Sequence, residues 1–283
     1  MRAVVLDRDR QPRLEEVEEP RGDGELVRVR ACGLCGSDVE KIGRAPTGTV
    51  LGHEVVAERN GGERVVLVHH LPCGDGECER CRAGHESTCE QFAAATIQPG
   101  GFADRVRSSA FVPLPDAIDD AIGTYAEPLG CVLRGAERLP RGSILVVGGG
   151  FIGRLFAAVL RHRDDEVFIH DRIPERATGL PDGPVDAAVL CARGGAAAAL
   201  AALAPAGVVL VFADAGWLDL DPVYRGELTV VGSRSATPHH VREAIELIPA
   251  LSLPEPVTLA LDRFMEGLDL YRRSEALKVV FTP

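Results

Sequence analysis

From Ser143 onward the chain repeats one pattern, a short apolar run followed by a stretch with helical spacing. The runs lie at 144–147, 167–169, 187–190, 208–212 and 228–231. Continuous apolar runs of this length suit parallel strands covered on both faces. Helical segments at 152–162 and 195–203 separate two pairs of them, and strands alternating with helices predict a doubly wound parallel sheet. The first third differs. Alternating runs at 3–6, 26–30, 55–57 and 64–68, broken by Gly, Pro and Asp, predict small antiparallel strands. The tail offers a helix at 241–248, a strand near Val257, a helix at 263–273 and a last strand at 278–281. The expected organisation is α/β: a β-rich domain over 1–130, completed by 239–283, and a doubly wound domain over 131–238.

A length of 283 residues suits two such domains, and 46% hydrophobic residues exclude global disorder. Forty-two acidic against 31 basic residues give a net charge of -11, which argues against nucleic-acid and anionic-membrane partners. The uncharged stretch 194–213 has about the length of a membrane helix. Pro205-Ala206-Gly207 interrupts it, so a small-residue helix, a turn and a buried strand are expected. The first residues carry charges and lack the apolar core of a signal peptide, and a cytoplasmic protein is expected. In a reducing compartment clustered cysteines bind metal more often than they form disulfides.

Three groups of residues carry chemistry. Gly148-Gly149-Gly150-Phe151-Ile152-Gly153 fits G-x-G-x-x-G after a strand and before a helix, the pattern that holds a pyrophosphate at a helix N-terminus. Asp171, 18 residues after Gly153, ends the next strand, where a carboxylate can accept from ribose hydroxyls. It favours NAD, and Arg172 beside it is compatible with NADP. Cys73, Cys78, Cys81 and Cys89 fall within a polar, glycine-containing loop that cannot bury a core, and four thiolates around zinc would order it. A knuckle formed by Cys78, Cys81, His85 and Cys89 is a rival, but it leaves Cys73 idle and is interrupted by Glu77, Glu79, Glu86 and Glu90. The third group is dispersed: Cys35 in Gly33-Leu34-Cys35-Gly36-Ser37-Asp38, His53-Glu54, and Glu127 in Glu127-Pro128-Leu129. Each member alone suits a bland structural role, and Cys32 looks structural.

Together these motifs, in this order, resemble the zinc-containing medium-chain dehydrogenases/reductases over essentially the whole chain. The resemblance implies a GroES-like catalytic domain and a Rossmann cofactor domain. It implies that Cys35, His53 and either Glu127 or Glu54 hold a catalytic zinc. Asp38 orients the imidazole, Ser37 takes the alcohol proton, and the cysteine lobe holds a structural zinc. A carboxylate at the Glu127 position matches polyol, sugar and threonine dehydrogenases. His69 falls where relatives line the substrate pocket. The expected activity is hydride transfer between NAD and a polyol, sugar or other secondary alcohol. Alternatives are a threonine-type or simple alcohol dehydrogenase, or an inactive zinc- and nucleotide-binding module. A homodimer or homotetramer joined through cofactor-domain edges is implied.

The chain also departs from that pattern. Glu40 stands where many relatives have the histidine of the proton relay. Four residues separate Cys73 from Cys78 where two are usual, with Gly74 and Gly76 allowing the longer loop to fold back. Between Asp171 and the next strand, at 186–189, the sequence is short and rich in Pro and Gly. No helix–strand unit fits there, so a sheet lacking one outer strand and a shallower adenine pocket are expected.

Overall fold

The computed structural model describes residues 1–73, 78–93, 95–214 and 216–283. The chain divides into two compact units. One comprises Met1–Glu127, Thr237–Pro249 and Glu255–Pro283, and the other Pro128–Ala236 with Ala250–Pro254.

In the first unit β1 (Arg2–Leu6) and β2 (Pro12–Glu16) form an antiparallel ribbon. The remaining strands are β3 (Glu25–Gly33), β4 (Glu54–Glu58), β5 (Arg64–Leu67), β6 (Ile97–Gln98), β7 (Arg105–Ser108) and β8 (Phe111–Pro113). They join the C-terminal strands Val257–Ala260 and Val279–Thr282 in an eight-stranded sheet. β3 is its hub, pairing antiparallel with β4, β7 and Val279–Thr282. Val27 and Val29 of β3 face inward and, past the register shift, so does Cys32. They reach a core where Phe102 meets Phe264 and Phe281 edge-on at 5.0 and 5.6 Å. Each ring buried there contributes about 1.5–3 kcal/mol. A register shift between Val29 and Ala31 precedes the pairs Cys32↔Val55 and Gly33↔Glu54. That register sets the end of β3 beside the start of β4, and with them the segments carrying Cys35 and His53.

In the second unit β9 (Ser143–Val147), β10 (Glu166–His170), β11 (Val185–Leu190), β12 (Leu203–Val211) and β13 (Thr229–Gly232) are all parallel, in the order β10-β9-β11-β12-β13. This is a doubly wound sheet short of one outer strand, as expected. The connection after Asp171 is too brief for a helix and a strand, and β10 becomes an edge. The edge is closed from within. Thr178 donates its amide to the Ile169 carbonyl at 3.0 Å and accepts the Ile169 amide on its hydroxyl at 3.0 Å. Arg161 donates to the Val167 carbonyl at 3.2 Å. Natural sheets blunt open edges in such ways.

The stretch 194–213 folds as the helix Ala196–Ala202 running into β12. The turn expected at 205–207 is instead an irregularity inside β12, with Ala206 at φ +61° and a register shift against β11. Among the described residues no helix is long and apolar enough to cross a membrane.

Candidate functional site

β3 ends at Gly33, Leu34 donates its amide to the Val279 carbonyl, and Cys35 caps the helix Gly36–Lys41. Position 33 must be glycine, because a Cβ there would collide with the Glu54 carboxylate and stand 2.9 Å from the Lys278 Cε. Asp38 is 1% exposed and draws three groups together. It accepts the Cys35 and Gly52 amides, each at 3.2 Å, and faces His53 Nδ1 at 3.2 Å. A proton held on Nδ1 by that carboxylate leaves the Nε2 lone pair free to bind a metal. The Cys35 sulfur, a His53 nitrogen and a Glu54 oxygen then lie within 4.8 Å of one another. Ser37, which is exposed, donates its hydroxyl to the Cys35 sulfur at 3.4 Å.

Electrostatics follow from burial and pairing. Burial pushes the Asp38 carboxyl up, but the charge and hydrogen bond of His53 outweigh it and leave Asp38 below its ordinary value. Burial likewise lowers His53, while Asp38 and the Cys35 sulfur raise it well above an ordinary imidazole. Thiol, imidazole and carboxylate at this spacing form a donor set that suits zinc. Glu54 also forms a fully buried ion pair with Lys278, whose ammonium donates to the Leu34 carbonyl at 3.2 Å. Sequence reasoning missed Lys278, and nothing in local spacing points to it. Glu127, half-buried in the helix Ala126–Ala136, is outside the group formed by Cys35, His53 and Glu54.

His69 follows β5, its carbonyl accepting the Thr96 amide at 2.9 Å and the Thr96 hydroxyl at 3.2 Å. Its ring centroid is 5.3 Å from that of His53 and 4.0 Å from that of His70. Burial and the neighbouring imidazoles push His69 down to about 3. Its Nδ1 is buried without a hydrogen-bond partner among the described residues. His70 in turn stacks on Phe92 at 5.2 Å, and Phe92 packs with Cys73 and Cys89.

The sulfurs of Cys73, Cys78, Cys81 and Cys89 also lie within 4.8 Å of one another. The Cys73 and Cys81 sulfurs are 3.5 Å apart, and the amides of Cys78 and Cys81 donate to the Cys73 and Cys78 sulfurs at 3.4 Å. For Cys89, burial acts upward, but the amides of Cys73 and Gln91 bring the thiol down to about 6. Burial and the other sulfurs push Cys81 up to about 12. A cation removes that conflict by stabilising all four thiolates, so the donor set fits tetrahedral zinc. His85 is exposed and is not part of the cluster. Gly74, Gly76 and Glu77 lie outside the described residues.

In the second unit Gly148, at φ +109°, turns the chain from β9 into the helix Phe151–His162. A Cβ on Gly153 would overlap the Gly148 carbonyl, which explains the third glycine. Gly150, Phe151 and Ile152 open that helix. The Asp171 carboxylate is aimed at the turn, accepting the Gly149 amide at 2.6 Å and the Ile173 amide at 2.8 Å. Arg172 is exposed. The shortened connection also returns to the turn, because Arg154 of the helix donates to the Arg176 carbonyl at 3.0 Å.

Residues 22–116 match the family described as alcohol dehydrogenase GroES-like domain. The chain is 28% identical over 180 residues to L-galactonate-5-dehydrogenase of Escherichia coli K12, covering 57% of this chain and 52% of the relative. It is 34% identical over 169 residues to L-threonine 3-dehydrogenase of Deinococcus deserti, covering 52% and 48%. The chain thus spans about half the length of the relatives it matches. Among solved structures, alcohol dehydrogenase TADH from Thermus sp. ATN1 superposes with a TM-score of 0.83 at 26% identity, covering 100% of both chains. Acetophenone reductase from Geotrichum candidum, solved with NAD, gives 0.84 at 18% identity, covering 100% of this chain and 97% of that one, a likeness of fold. A match to the alcohol dehydrogenase GroES-like domain that spans the Cys35 and His53 motifs and the four-cysteine cluster, followed by an all-parallel unit one strand short, makes this chain similar in sequence and fold to the alcohol dehydrogenases.

Proposed function

We propose that the protein is a zinc-dependent oxidoreductase that moves a hydride between NAD and a polyol, sugar or other secondary alcohol. The observation that carries this reading is the convergence of Cys35, His53 and Glu54 within 4.8 Å, with Asp38 fixing the imidazole from behind. Cys35 and His53, with Glu54 or Glu127, would hold a catalytic zinc, and Cys73, Cys78, Cys81 and Cys89 a structural one. Zinc supplies charge that eases loss of a hydroxyl proton near neutral pH, and a nicotinamide dinucleotide supplies the hydride acceptor. Ser37, exposed and hydrogen-bonded to the Cys35 sulfur, takes the departing proton. Glu40, exposed on the same helix, offers it a route to water. The turn Gly148–Gly153 holds the pyrophosphate and Asp171 the ribose, which supports NAD, with Arg172 compatible with NADP.

The partnerless Nδ1 of His69 supports a hydroxylated substrate over an aliphatic one. The L-threonine 3-dehydrogenases among the relatives support a second reading, an amino-alcohol substrate. We also propose a homodimer or homotetramer. The test is metal analysis together with NAD and NADP reduction over polyols, aldoses, threonine and short alcohols. Two zinc ions per chain and turnover of a polyol are expected. Cys35→Ser should carry one zinc, keep its fold and lose activity. Bound zinc and dinucleotide without turnover of any substrate would favour the inactive module instead.

A further inference from the structure

The helix Phe264–Arg272 brings Tyr271 to the candidate metal site from the far end of the sequence. Its ring packs against the core of the first unit. Its hydroxyl lies 2.9 Å from where a Cβ on Gly36 would stand, one residue from Cys35. Among the described residues it has no hydrogen-bond partner. Burial pushes the phenol up to about 12, and Cys35, Glu54, Glu40 and Asp38 add to the shift. A phenol hydroxyl can both donate and accept a hydrogen bond. A neutral ligand hydroxyl, itself both donor and acceptor, is a matching partner. The same site holds a second neutral polar atom without a partner, His69 Nδ1. His69 Nδ1, buried and unsatisfied, carries a cost that a ligand hydroxyl can relieve. A simple alcohol has one hydroxyl to offer, which the reacting centre takes.

We propose that Tyr271 is a specificity-determining residue that hydrogen-bonds a second hydroxyl of an alcohol held at the Cys35–His53–Glu54 site, so that this site selects diols and polyols over simple alcohols. The inference rests on the metal-site reading above. A Cβ at position 36 would crowd the phenol, so the glycine there leaves the hydroxyl its place.

The test uses the full chain with Co(II) in place of zinc, so that binding is read from the visible absorption of the metal as well as from turnover. The probes are 2,3-butanediol and 2-butanol, which differ by one hydroxyl. In the unaltered protein the diol should bind roughly three- to tenfold more tightly, the range of one net hydrogen bond. In Tyr271→Phe the ratio should fall to near one. Gly36→Ala, whose methyl would push the phenol aside, should lower it in the same direction and serves if Tyr271→Phe does not fold. A diol preference that survives both substitutions overturns the inference. So does a Tyr271→Phe protein that keeps the preference but loses NADH affinity by fluorescence titration, which would assign the phenol to the dinucleotide. If neither alcohol perturbs the cobalt spectrum of the unaltered protein, the metal-site reading fails, and the inference fails with it.

Discussion

His53 can serve a metal only while Asp38 holds its ring, and this dependence can be measured. Asp38→Asn keeps the shape but removes the charge that fixes the Nδ1 proton, and it should weaken zinc at this site about 10- to 100-fold. Chelator competition would show one of two zinc ions becoming labile, and equal lability of both would contradict the arrangement. His69 makes a separate prediction. An unfolded chain protonates His69 near its ordinary 6.5, while the folded chain refuses the proton until about 3. Below pH 6.5 the unfolded state therefore binds more protons, and stability falls as pH falls, by about 2 kcal/mol at pH 5 from this group. His69→Phe should flatten that part of the curve, seen as a smaller drop in Tm between pH 7 and pH 5. Cys35, Asp38 and His53 were legible because each sits in a short motif of distinctive spacing. Lys278 and Tyr271 were not, since Lys278 meets Glu54 across 224 residues and nothing in the sequence around it marks a buried ion pair. A buried lysine is intelligible only once its carboxylate partner is known.

At the scale of elements, the strands of both units could be read from apolar runs, whereas the devices that finish them could not. The register shift in β3 that sets Gly33 opposite Glu54 leaves no compositional trace. Thr178, which closes the β10 edge, looks like an ordinary loop residue. The cysteine lobe is the opposite case, legible from what it lacks. Its helix, Glu79–Arg82, has no buried residue, and Cys73, Cys89 and Phe92 are its only fully buried apolar side chains among the described residues. So little apolar area cannot offset the entropy of ordering the loop, and in the proposed reading a structural zinc supplies the difference. Removing zinc with a strong chelator, or replacing Cys89 by Ser, should therefore melt this lobe alone. Hydrogen exchange over residues 78–93 should rise to that of free peptide, with trypsin cutting at Arg80 and Arg82, while β3, β4 and β5 keep their protection. A lobe that stays protected after zinc is lost would mean that side-chain packing holds it.

At the scale of the molecule, the order of a β-rich unit, a doubly wound unit and a returning tail follows from the change in texture along the chain. The missing outer strand follows from simple length, because the residues after Asp171 cannot form a helix and a strand. What neither texture nor length conveys is which surfaces of the second unit stay open. β13 is an edge strand whose Val230 is 40% exposed, and nearby in sequence Trp217, Leu220 and Tyr224 are 96%, 67% and 81% exposed. The strand Thr229-Val230-Val231-Gly232 carries no charge, proline or bulge that would discourage pairing, unlike the capped edge at β10. An open apolar edge recruits another strand, and a second copy of the same strand can pair with it antiparallel about a two-fold axis, burying the same residues on each partner. Sedimentation equilibrium should therefore give a dimer or a tetramer at micromolar concentration. Val230→Asp, which sets like charges against each other across that axis, should shift the mass to a smaller assembly while leaving the zinc content at two per chain. If Val230→Asp sediments like the unaltered protein, the subunits meet elsewhere; if the unaltered protein is already a monomer, the exposed edge belongs to a different partner, and the absence of protective charge along β13 needs another cause.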